Sequence, residues 1–146
     1  MELKMEDFKS NLKHSFKMEM IGTGVYKGLS KQFKTKNPDL SETFMEFSKQ
    51  EEMHGKLFQK CFNDLYGKSF KSGFFWKTTG RFAAFMMRPV PLRKKMKKLQ
   101  IAEQDAVDKI EKLLNEEIEP KFKKVLKVIH PHEILHASLY NKLYKS

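Results

Sequence analysis

The chain has 146 residues and a net charge of +11, from 29 Lys and Arg against 18 Asp and Glu. Its one cysteine, Cys61, excludes an internal disulfide and a four-cysteine metal centre within the chain, and it fits a reducing cytosol. No uncharged run reaches the ~18 residues of a spanning helix, and no N-terminal apolar signal run is visible. The sequence therefore reads as a cytoplasmic protein, at most peripheral to a membrane, with one domain over residues 1–146 built on one core. Thirteen Phe with few Pro and Gly indicate a globular, mostly helical chain. The positive excess suits an anionic partner, either a membrane surface or nucleic acid.

The first helix is predicted from about Leu3 to Phe33. Its stripe of Phe8, Leu12, Phe16, Glu19, Thr23 and Tyr26 puts one acid in an otherwise uncharged row. Gly22 and Gly24 follow that acid. Glycine weakens a helix interior, so the pair calls for close helix packing or for space beside a bound metal. Thr35 to Leu40 reads as a polar turn with Asn37-Pro38 as breaker, and Ser41 as the next helix cap.

The second helix is predicted from Ser41 to Tyr66, closed by Gly67. Phe44, Phe47, Glu51, His54, Phe58, Cys61 and Leu65 share one face. A carboxylate and an imidazole thus point inward one turn apart. A buried carboxylate is costly unless compensated, and a metal ion is a natural compensation. Glutamate oxygen and histidine nitrogen at i, i+3 can reach one cation.

Lys68 to Lys98 breaks the helical pattern. Ser69, Ser72, Gly73 and Gly80 loosen it, and Pro89 and Pro91 stop a helix. Phe74-Phe75-Trp76 and Phe82 to Met87 lie between flanking Lys and Arg. The favoured reading is a crossover packed along the molecule. The functional reading is a basic aromatic surface, residues 74–98, that touches a membrane or an apolar substrate.

The third helix is predicted from Arg93 to Glu117, with Met96, Leu99, Glu103, Ala106, Ile110 and Leu113 on one face and Glu103 its single acid. Pro120 marks a break, and the fourth helix starts near Lys121. Its stripe is Phe122, Leu126, Ile129, Glu133, His136, Tyr140 and Leu143, with a kink or restart expected at Pro131. His130 and His132 read as exposed histidines at that kink. Lys94, Lys95, Lys97 and Lys98 read as a solvated face. Cys61 and most Met read as core filler. Nucleic acid is disfavoured as a partner, because no recognition motif accompanies the charge.

One Glu-x-x-His is a weak signal in a chain rich in Glu. Here it occurs twice, at Glu51–His54 and at Glu133–His136. Each follows a helix with one inward acid, Glu19 lying 32 residues before Glu51 and Glu103 lying 30 before Glu133. One Glu from each of two helices and Glu-x-x-His from each of the other two is the ligand set of ferritin-like dimetal bundles, and Lys68 to Lys98 fits their single crossover. The fold class expected is all-α, a ferritin-like four-helix bundle with one long crossover between helices 2 and 3. Four carboxylates would be neutralised by two divalent cations. Oxygen-rich ligation with two imidazoles suits iron, with manganese as the alternative, better than zinc. Glu51 and Glu133 are expected to bridge the metals. Glu19 and Glu103 would hold one metal each, as would His54 and His136.

On these residues the sequence resembles the ferritin-like superfamily, most closely the rubrerythrin-type diiron domain, over the four helices and most of the chain. Tyr26, seven residues after Glu19, looks like a tyrosine found near the metals in such proteins. The resemblance implies two bound iron ions, reaction with oxygen or peroxide, an electron donor that it does not name, and a role for Tyr26 as proton relay. The chain differs in having no cysteine-rich electron-transfer domain and in carrying Gln100 one turn before Glu103, where a rubrerythrin offers another carboxylate. The expected function is a dimetal carboxylate oxidoreductase. The alternatives are a ferroxidase or iron-handling protein, a membrane-associated hydroxylase, and a basic helical binding module with a structural metal. A homodimer is one expected assembly.

Overall fold

A computed structural model describes residues 2–144, with side chains from Asp7 to Tyr144. The described residues form five helices and no strand: α1 (Glu2–Phe33), α2 (Pro38–Tyr66), α3 (Gly73–Met86), α4 (Leu92–Leu114) and α5 (Pro120–Tyr144). By contact the chain divides into two compact units, Met1–Met86 and Met87–Ser146. No described helix is long and apolar enough to cross a membrane.

In the first unit α1 packs against both α2 and α3. The predicted stripes are its core: Leu12, Phe16, Tyr26, Phe44, Phe47, Phe58 and Cys61 are all buried. α2 begins three residues earlier than predicted. Pro38 starts the helix instead of breaking it, since a first-turn residue needs no N–H donor. Asn37 is the cap, its Oδ1 accepting from the Leu40 amide at 3.2 Å. Ser41 instead pins α2 to α1. Its Oγ donates to the Ser30 carbonyl at 2.6 Å, and Ser30 Oγ donates to the Ser41 carbonyl at 2.8 Å. The helix closes as expected on Gly67 at φ 65°, whose N–H donates to Asn63 O at 2.8 Å.

The segment read as pattern-breaking contains α3. Gly80 lies in its middle because a Cβ there would collide with the Ile21 carbonyl, and a Cβ on Gly24 would collide with the Lys77 carbonyl. Two backbones meet at that crossing, and glycine is what allows the approach. Lys77 also pairs with Glu52 of α2 at 2.6 Å.

In the second unit α4 packs on α5, burying Met96, Val107, Ile110, Phe122, Leu126 and Ile129. α4 stops at Leu114, three residues short of the predicted end. α5 shows no restart at Pro131 and stays helical from Pro120 to Tyr144. Pro131 lies on the exposed face, so its ring stays clear of the buried stripe. Glu119 accepts from the Phe122 amide at 3.0 Å and so caps α5 ahead of Pro120, as Asn37 caps α2 ahead of Pro38.

Two surface readings need correction. Lys95 is buried, unlike the exposed Lys94, Lys97 and Lys98. At 100° per residue it falls on the same face as Leu92 and Leu99. His130 and His132 are half-buried instead of exposed, and His130 Nε2 lies 3.1 Å from Glu111 Oε1.

Candidate metal centre

Each unit carries one inward cluster built on a helix pair. In the first, α1 presents Glu19 and α2 presents Glu51 and His54. One ligand atom from each lies within 4.8 Å of the others. His54 Nδ1 stands 3.3 Å from Glu19 Oε2. His54 and Glu51 are buried, Glu51 with 4 % of its surface exposed. In the second unit, Glu103 of α4 meets Glu133 and His136 of α5 within the same 4.8 Å, with His136 Nδ1 3.8 Å from Glu103 Oε2. Glu133 is 2 % exposed, whereas the side chains of Glu19 and Glu103 are each 12 % exposed. The deepest carboxylates are thus those of the two Glu-x-x-His motifs, and the single acids sit nearer the surface.

The local sequence explains the placing. Glu51 follows Phe47 and precedes Phe58 on one stripe, so packing of the aromatics turns the carboxylate inward. Ser48, one turn before Glu51, donates to the Thr23 carbonyl at 2.8 Å and fixes α2 against α1 at that level. Gly22 is the residue beside the carboxylate, where a Cβ would stand 2.7 Å from Glu51 Oε2. Close packing accounts for both glycines: Gly24 makes room for the α3 backbone, and Gly22 makes room for the Glu51 side chain.

The donor set fits a cation. With metal–ligand bonds of about 2.1 Å, two donors on one ion sit about 3.0–3.4 Å apart at angles from square to tetrahedral. The His54–Glu19 separation falls in that range, and the His136–Glu103 separation is a little wider. Two carboxylates and one imidazole per cluster pair hard oxygen with borderline nitrogen, a set that can hold a divalent cation.

Tyr26 is buried on the Glu19 stripe. Its ring lies edge-on to Phe47 at 5.4 Å and stacks on Phe44 at 6.0 Å. Gln100 is turned to the α4–α5 surface, accepting from Lys97 Nζ at 2.9 Å and donating to Asn141 Oδ1 at 3.3 Å. Near the first cluster, Lys77 beside Glu52 holds that carboxyl below the ordinary carboxylate range. Sequence reasoning missed this pair, which joins α2 to a helix it did not expect.

Helix pairs with a single inward acid on one member and Glu-x-x-His on the other define the ferritin-like class of all-α proteins. A family model, Rubrerythrin, matches residues 10–144, and the chain belongs to that family. No curated protein and no solved structure matches the chain.

Proposed function

We propose that Glu19, Glu51, His54, Glu103, Glu133 and His136 hold two iron ions and that the protein is a diiron carboxylate oxidoreductase acting on oxygen or peroxide. The observation that carries this reading is the His54 Nδ1–Glu19 Oε2 separation of 3.3 Å, with Glu51 in the same cluster. Membership in the rubrerythrin family supports it. Bound ferrous iron would supply the electrons for reducing the oxidant, with an external donor restoring them.

The chain's own part follows from its chemistry. Glu51 and Glu133, the deepest acids, would serve as the shared carboxylates. Glu19 and Glu103, nearer the surface, would hold one ion each. His54 and His136 would each supply a ring nitrogen. Tyr26, buried on the Glu19 stripe, would be the proton source for the reduced oxidant, with its Phe44 and Phe47 neighbours keeping bulk water from that side.

Metal content of protein purified without added metal, compared between the native chain and a Glu51→Ala, Glu133→Ala double variant, tests the site. Two irons per native chain, lost in the variant, is the expected result. Equal metal in both would overturn it. Oxidation of the diferrous protein by peroxide against oxygen then tests the reaction. Turnover sustained by an added electron donor is expected, and a single stoichiometric oxidation followed by accumulation of ferric ion would instead mark an iron-handling protein.

A further inference from the structure

The face of α3 turned away from α1 carries Phe74, Phe75, Phe82, Phe85 and Met86. Phe74 is 84 % exposed, and the other four are between 59 % and 62 % exposed. At 100° per residue these five fall within one arc of about 120°, while Gly80 and Ala84 lie opposite, against α1. A 14-residue helix thus offers solvent its most apolar side. Four phenylalanines and a methionine left in water along one stripe mark an interaction surface.

The charge around the stripe identifies the partner. From Leu65 to Met86, within the unit that holds α3, the sequence contains no Asp or Glu, but three Lys and one Arg. Arg81 is exposed at the edge of the stripe, and Arg88 and Lys71 are exposed just beyond the two ends of α3. An apolar arc edged by cations on a short helix is the pattern of a segment lying in the plane of an anionic lipid surface, its rings immersed and its cations at the headgroups. A second copy fits worse, since self-pairing would bring two acid-free, cationic stretches together. Nucleic acid fits worse as well. A single strand stacks on rings set along a positively charged groove, whereas these rings stand on the outer face of one helix with Arg81 as the cation at its edge.

We infer that α3 is a membrane-surface docking helix for anionic lipid, with Phe74, Phe82 and Phe85 as its immersed anchors. The docking is peripheral, since no described helix can span a bilayer.

Co-sedimentation of the full chain with phosphatidylcholine vesicles, with and without phosphatidylserine, tests this. Binding to the serine-containing vesicles at low salt is expected to be at least about tenfold stronger than to phosphatidylcholine alone, and to weaken as salt rises. A Phe74→Ser, Phe82→Ser, Phe85→Ser variant should keep its helical circular dichroism, because these side chains stand in solvent, yet lose at least about tenfold in vesicle affinity. An Arg81→Gln, Arg88→Gln variant should bind with a shallower salt dependence. Equal binding to both vesicle types, full binding by the phenylalanine variant, or tighter binding to nucleic acid than to vesicles would overturn the inference. So would a native dimer that the phenylalanine variant dissociates.

Discussion

His54 Nδ1 stands 3.3 Å from Glu19 Oε2, a contact between the second helix and the first, and His136 stands in the same relation to Glu103 at 3.8 Å. Both link residues more than thirty positions apart in the sequence. Removing the imidazole should therefore weaken the cluster's hold on a cation, leaving Glu19 and Glu51 as its remaining donors. His54→Ala is expected to lower metal affinity at least about tenfold, a loss seen even for residues one shell further out. Isothermal titration with ferrous ion under anaerobic conditions measures it.

Metal-free protein should be limited by its own buried acids. Glu51 and Glu133 are almost fully buried, and gathered carboxylates in a dry site repel one another and lack hydration. Glu51→Gln with Glu133→Gln should stabilise the metal-free chain by about 1–3 kcal/mol in urea unfolding while abolishing the stabilisation that added iron gives the native chain. A metal-free double variant less stable than native would show that the acids are compensated without a cation.

Gly22 and Gly24, on either side of Thr23, should fail in different ways. Gly22→Ala places a methyl 2.7 Å from Glu51 Oε2, against the movable end of a side chain. It is expected to weaken metal binding with a stability loss under about 1 kcal/mol. Gly24→Ala sets its methyl against the Lys77 carbonyl and Arg81 backbone, which cannot rotate away, and should cost about 1–3 kcal/mol with the ligands unchanged. Thermal melts beside metal titrations separate the two.

The Glu52–Lys77 pair predicts a small acid-side effect. Lys77 holds the Glu52 carboxyl below its ordinary value of 4.5. A lowered folded value means that the contribution is present above the unfolded value and lost as pH falls through the folded one. With about a third of each side chain exposed, screening limits it to about 0.2–1 kcal/mol. Lys77→Met should raise the Glu52 titration midpoint by NMR and cost no more than that at neutral pH.

The α2 cap gives a check on helix entry. Asn37→Ala removes the acceptor of the Leu40 amide and should cost about 1 kcal/mol. Ser41→Ala should cost a similar amount by a different route, since it leaves the buried Ser30 carbonyl without its 2.6 Å donor.

Much of this was legible in the chain itself. Periodicity alone put Glu19, Glu51, His54, Glu103, Glu133 and His136 on buried stripes, because a helix repeats every 3.6 residues and the neighbouring Phe, Leu and Ile declare which face is inward. Helix C-termination at Gly67 was equally local. The tertiary structure decided what depends on a neighbour far along the chain. Gly80 reads as a breaker until the Ile21 carbonyl is seen lying against it. Ser41 reads as a cap until Ser30 is found opposite. Lys95 reads as solvated until the turn of α4 is traced. Phe74, Phe82 and Phe85 fit either a packed crossover or an aromatic surface from sequence, and they face water because the glycine side of α3 is the side that α1 can approach. Local pattern determines which residues share a face; which face is covered is settled only by where another backbone can come close.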